Sequence, residues 1–181
     1  TFNTLRGASI IMTSSLTVRR IPLLGALIAM QLILGSLLSI QLLLTKISFA
    51  FIIIGLTARL FSPLVTAGSS AISSLLGMLL FPKFTFFPGF ILTAFLTGLV
   101  FGYAFQHQTS LTRVLVANFI VVFILNLFLN SLWLHLMYLT PWSVLLTTRM
   151  IQEVITYVCY SVILIALFKI PILNQLTARF K

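Results

Sequence analysis

Acidic residues are nearly missing from this chain, with one carboxylate, Glu153, in 181 residues. That scarcity excludes much chemistry at once. Two carboxylates cannot be paired for aspartyl proteolysis or for acid–base work of the two-carboxylate kind. The two histidines, His107 and His135, have no His-Glu-x-x-His context and too few companions for a metal site. His107 reads as a loop residue, and His135 as an interfacial or helix-packing residue near the expected site. No Gly-x-Ser-x-Gly elbow and no phosphate-binding loop occurs, so an enzyme and a self-contained ATPase are both disfavoured. Nothing marks a bound cofactor. The single cysteine, Cys159, excludes an intrachain disulfide, and its apolar surroundings make it a small core residue in this reading. Charged residues make up only 7% of the chain, too few to cover a water-facing surface.

What the chain has instead is hydrocarbon. Hydrophobic residues reach 60%, and they fall in runs near the roughly 20 residues that a membrane helix needs. Six segments follow: 22–40, 47–60, 63–81, 89–105, 113–138 and 147–168. The second is short. Ser62-Pro63 marks the turn after it, because a residue before proline is pushed out of the helical region. The expected fold is an all-α membrane protein, a six-transmembrane-helix bundle forming one domain over 17–181. Residues 1–16 read as an N-terminal extension. The first twenty residues lack the order of a signal peptide, and Met12 is a candidate start.

The net charge of +10 comes from 11 Lys and Arg against the one acid. On a membrane chain such an excess marks cytoplasmic loops and not nucleic-acid binding. Arg19, Arg20, Arg59, Arg113, Lys169, Arg179 and Lys181 fall at one face, and Lys46, Lys83 and Arg149 at the other. This places both termini of a multi-pass cell-membrane protein in the cytoplasm. The outer loops are then 41–47, 82–88 and 139–147.

Polar residues bunch toward the outer half, which suits a pocket closed below better than a continuous pore. Asn126, Asn130 and Trp133 stand at i, i+4 and i+7 on one helix face. Asn126 reads as a helix–helix hydrogen-bond residue, Asn130 and Trp133 as ligand contacts. Arg149 and Glu153, i and i+4, form the one opposite-charge pair in the membrane region. An isolated charge there costs about 2.5–3.5 kcal/mol on insertion scales, so a structural pair that also orients a ligand is expected. The loop FPKFTFFPGF, 81–90, contributes Phe86 and Phe87 as an aromatic lid. Tyr138 and Trp142 stand opposite it, although Trp142 also fits an ordinary interfacial belt. Gly25 and Ala29, one turn apart, make a small-xxx-small surface for a helix of this bundle or of a partner.

Three stretches taken together, ALIAMQLILGSLLSIQ, LLGMLLFPKFTFFPGFILTAFLTGLVFG and LNSLWLHLMY…LLTTRMIQEVI, resemble the folate-type S components of energy-coupling factor (ECF) vitamin transporters. The likeness runs from about residue 17 to 168. It implies a six-helix bundle with a vitamin site near the outer face. It also implies a transmembrane T component and two cytoplasmic ATPases as partners, with lipid around the bundle. Gly25, Ala26 and Ala29 match the small residues through which the family docks, and ATP hydrolysis is expected to tip the S component over in the membrane. Three positions depart from the family pattern: Ser36 replaces an Arg, Ser74 an Asp and Gln152 a Lys. Ser36 joins the expected site at that Arg position. The lost charges favour a small heterocycle, hydroxymethylpyrimidine- or pyridoxine-like, over folate. A folate or pantothenate S component and a partner-independent facilitator or channel stay open beside it.

Overall fold

The computed structural model describes residues 20–37, 39–41, 46–81, 86–106 and 110–169. The N-terminal extension, Arg19, Lys83, His107, Arg179 and Lys181 lie outside the described residues. Five helices among those described are long and apolar enough to cross a membrane. They are α1 (Arg20–Leu37), α3 (Pro63–Leu80), α4 (Pro88–Phe105), α5 (Leu111–Tyr138) and α6 (Trp142–Lys169). Helix α2 (Ala50–Leu60) has only 11 residues, about 16 Å at 1.5 Å per residue. Strands β1 (Ile40–Gln41) and β2 (Lys46–Ile47) pair antiparallel between α1 and α2, with Ile40 opposite Ile47.

The short α2 and this strand pair have one explanation. The described residues between α1 and α2, 39–41 and 46–49, are not helical, yet α2 still runs to Arg59 near its end. Such backbone is tolerated at membrane depth only where protein buries it and supplies hydrogen bonds. Tyr160 of α6 supplies them: its hydroxyl accepts from the Ser48 N–H (3.2 Å) and donates to the Ser48 carbonyl (2.6 Å). The Tyr160 ring stacks on Phe51 at 3.6 Å, and the Ser48 hydroxyl accepts from the Ala50 N–H at the start of α2.

Helices α3 and α4 approach more closely than side chains usually permit. A Cβ on Gly98 would stand 2.7 Å from Ser70 Oγ and the Thr66 carbonyl, and one on Gly102 would stand 2.5 Å from Pro63 Cα. The small-residue face of α3, with Thr66, Ser69, Ser70, Ser73 and Gly77 buried, makes that approach possible. The apolar core lies among α2, α4, α5 and α6, around Phe101, Phe105, Val121, Val122 and Leu164. The outward faces carry exposed Leu64, Ile72, Phe128, Ile151 and Val162, as a lipid-facing surface requires.

Three expectations are corrected here. Helix α6 begins at Trp142 and not near 147. Pro141 starts it, its carbonyl accepting from the Val144 and Leu145 amides, so only 139–141 separate α5 from α6. Arg149 is a buried helix residue, about two turns into α6. Cys159 is exposed and not a core residue, because it shares a lipid-facing stripe with Ile155, Val158 and Val162. Finally, residues Ile120–Leu129 of α5 form a π-helix, so the 3.6-residue spacing assumed for this span fails midway.

Candidate functional site

All six helices border a partly open cavity of about 290 Å³. Gln31, Gly35 and Ser36 of α1 line it, with Ser48 and Phe51 from the α2 entrance and Ser70, Ser73 and Ser74 from α3. Thr93 and Thr97 come from α4, Asn126 and Asn130 from α5, and Arg149, Glu153, Thr156 and Tyr160 from α6. The four α6 residues follow a 4-3-4 spacing, which holds them on one face. All four are buried.

Arg149 and Glu153 form the expected pair, Nη2 to Oε1 at 3.6 Å, and Arg149 Nη1 donates to Ser131 Oγ at 3.1 Å. Glu153 is 2% exposed, and its second oxygen, Oε2, has no hydrogen-bond partner. Gln31, 1% exposed, donates from Nε2 to Thr57 Oγ1 (3.2 Å) and leaves Oε1 unpartnered. Asn130 donates from Nδ2 to Asn126 Oδ1 (3.4 Å), and its own Oδ1 is unpartnered. The wall hydroxyls point the same way. Ser70, Thr93, Thr97 and Thr156 each donate to a carbonyl of their own helix, which leaves oxygen lone pairs to present. The wall is therefore rich in acceptors, and buried acceptors call for donors.

The structure brings Ser36, Asn130, Arg149 and Glu153 together around the cavity. It places the aromatic candidates elsewhere. Trp133 donates from Nε1 to Thr93 Oγ1 at 3.0 Å and packs against Phe87, ring centres 5.6 Å apart. It covers Gly89, where a Cβ would stand 2.5 Å from its ring. Trp133 thus braces the start of α4 behind a cavity wall, while Asn126 and Asn130 line the cavity itself. Phe87 packs on Phe90 as well. Phe86 and Tyr138 are about half exposed, at 49% and 50%. His135 bonds the Thr140 carbonyl (2.7 Å) and stacks on Trp142, a packing role at the α5–α6 turn. The aromatic side chains that do line the cavity, among the described residues, are Phe51, Phe81, Phe90 and Tyr160.

Sequence reasoning missed Gln31, Ser48, Thr156 and Tyr160. Gln31 was visible as the amide inside an apolar span. Thr156 and Tyr160 were visible as the continuation of the Arg149–Glu153 face. Nothing in the sequence pointed to Ser48, whose partner is 112 residues away.

A helical bundle with a buried, acceptor-lined chamber suits solute binding. A family model described as ECF transporter, substrate-specific component, matches residues 19–178. The chain belongs to this family. This S component is 34% identical over 125 residues to the folate transporter FolT of Clostridium novyi, covering 68% of this chain and 73% of that one. It is 35% identical over 149 residues to the FolT of Leuconostoc mesenteroides, covering 78% and 80%. A crystal structure of FolT bound with folic acid superposes with a TM-score of 0.80 at 32% identity, over 88% of this S component and 97% of that chain. The S component is accordingly a multi-pass membrane protein of a transporter and a folate-type member of its family.

Proposed function

We propose that this S component binds folate in the cavity and hands it to an ATP-driven uptake complex. The observation that carries the reading is the set of unpartnered buried acceptors, Gln31 Oε1, Asn130 Oδ1 and Glu153 Oε2, about one chamber. A pterin ring offers an amino group and a ring N–H on one edge, the donor pair that a carboxylate and amides accept. Folate transporters among the relatives support the same ligand and run against the small heterocycle that the three lost charges favoured. In this reading Glu153 and Asn130 hold the pterin edge, Arg149 orients Glu153, and Ser36 adds a hydroxyl. Trp133 and Phe87 hold the wall that the ring packs against.

The remaining parts of the reading concern partners and orientation. Both termini lie in the cytoplasm, and the complex contains a T component and two ATPases. Gly25, Ala26 and Ala29 are exposed on α1, and a Cβ on Gly25 would meet no atom within 4 Å. They do not pack within the described bundle, which leaves them available to a helix of the T component.

Mass spectrometry of the small molecule that copurifies with the isolated chain, followed by calorimetric titration, tests the ligand. Folate is expected in both. Binding of pyridoxine or hydroxymethylpyrimidine without folate binding would overturn the assignment.

A further inference from the structure

A second concavity lies outside the bundle, along the crease between α4 and α5. It is an open groove of about 490 Å³. Its walls are apolar along most of their length, with Ala104 on α4 and Val116 and Ile120 on α5. Its polar lining residues gather at one end. Thr112 and Arg113 occupy the first turn of α5, which starts at Leu111. Tyr103, 67% exposed, stands two residues before the end of α4 at Phe105. Arg113 is exposed as well. The N-cap residue, Ser110, makes no side-chain cap hydrogen bond, so the first amides of α5 take no cap from it. A helix start carries partial positive charge and favours an anion, and Arg113 adds a full charge beside it.

The groove therefore has a polarity. Cationic and hydroxyl groups stand at the helix ends, and Ile120 lies about 10 Å further along α5 by helical rise, toward the middle of the span. A lateral face of two membrane-spanning helices meets lipid, and this polarity matches a phospholipid lying parallel to them. We propose that the groove is a binding site for one anionic phospholipid, with its phosphate at Arg113 and the α5 N-terminus and an acyl chain along Val116 and Ile120. A free anion would leave the apolar length unused. A packed protein helix would have to bury Arg113 against an apolar wall, which is costly without a partner charge.

Native mass spectrometry of the full chain, equilibrated in micelles containing phosphatidylglycerol or phosphatidylcholine, tests this. One retained phosphatidylglycerol is expected, preferred about fivefold over phosphatidylcholine, the effect of one basic residue at a lipid surface. Arg113→Gln should abolish the preference and Arg113→Lys should keep most of it. Ala104→Leu, which narrows the groove, should lower retention of both lipids while folate titration stays unchanged. Equal retention of the two lipids by the unmodified chain would mean annular contact only and overturn the proposal. Full competition by glycerol phosphate would mean a soluble-anion site and overturn it too. A chain dimer lost on Arg113→Gln would assign the groove to a second copy, with the same result.

Discussion

Glu153 has one oxygen engaged by Arg149 and the other without a partner, at 2% exposure. Its two roles separate by substitution. Glu153→Gln keeps the shape but replaces one acceptor oxygen with a donor NH2 and loses the charge that a ring N–H and amino pair would use. Charge-assisted hydrogen bonds are worth about 1.5–3 kcal/mol, so folate affinity should fall by roughly tenfold to a hundredfold. Calorimetry on protein that still elutes as a monodisperse peak measures this, and an unchanged Kd would move the ligand away from Glu153. Arg149→Ala is a different experiment, because it leaves Glu153 buried without its cation. Breaking such a pair costs about 3–5 kcal/mol, and the loss should appear first in thermal stability. The double change Arg149→Met/Glu153→Leu should recover most of that stability while abolishing folate binding. The ion pair was legible in the sequence because i, i+4 spacing on a helix is local geometry. The bracing contact of Trp133 was not legible, because it depends on Thr93, 40 positions away.

At the scale of elements, the late start of α2 explains why the cavity exists. Had α1 and α2 been joined by a tight helical turn, their side chains would fill the space that Ser48, Ala50 and Phe51 now border. The strand-paired segment stays at that depth because Tyr160 satisfies both backbone groups of Ser48. Tyr160→Phe removes only the hydroxyl and leaves the stack on Phe51. Each buried backbone group left without a partner costs about 1–3 kcal/mol. The variant should therefore melt earlier in detergent and bind folate more weakly. A melting point and Kd equal to those of the unmodified chain would mean that the segment is held by other contacts. The α3–α4 pair makes the opposite case, in which packing alone decides. Gly98→Ala forces a Cβ to 2.7 Å from Ser70 Oγ and the Thr66 carbonyl, an overpacking that costs about 1–3 kcal/mol. Spans were legible in the sequence from hydrophobic run length, and the turn before α3 from Ser62-Pro63. The strand pair was not, since its reason is the side chain of a distant helix.

For the whole molecule, the question is how a ligand held in the cavity of one subunit would be carried across the membrane. Arg149 is buried in α6, so Lys46 and Lys83 remain as the outer-loop cations of the sequence reading, and the charge bias predicts both termini in the cytoplasm. A cytoplasmic reporter fused to either end should be active, and a periplasm-type reporter silent. In the proposed function the energy for inward movement comes from partner ATPases, and a partner needs a surface. Gly25, Ala26 and Ala29 are exposed small residues on α1, so another helix can approach closely there. Gly25→Leu puts a branched side chain where a Cβ now meets nothing within 4 Å. The bundle has room for it, so stability and folate Kd should stay as they were. Recovery of the chain with tagged T component should drop, and uptake of labelled folate should drop with it. Normal recovery of the complex would remove α1 as the docking face. Uptake by cells that make this chain without any ATPase module would show that the chamber opens inward without a partner, and would leave a facilitator as the better account.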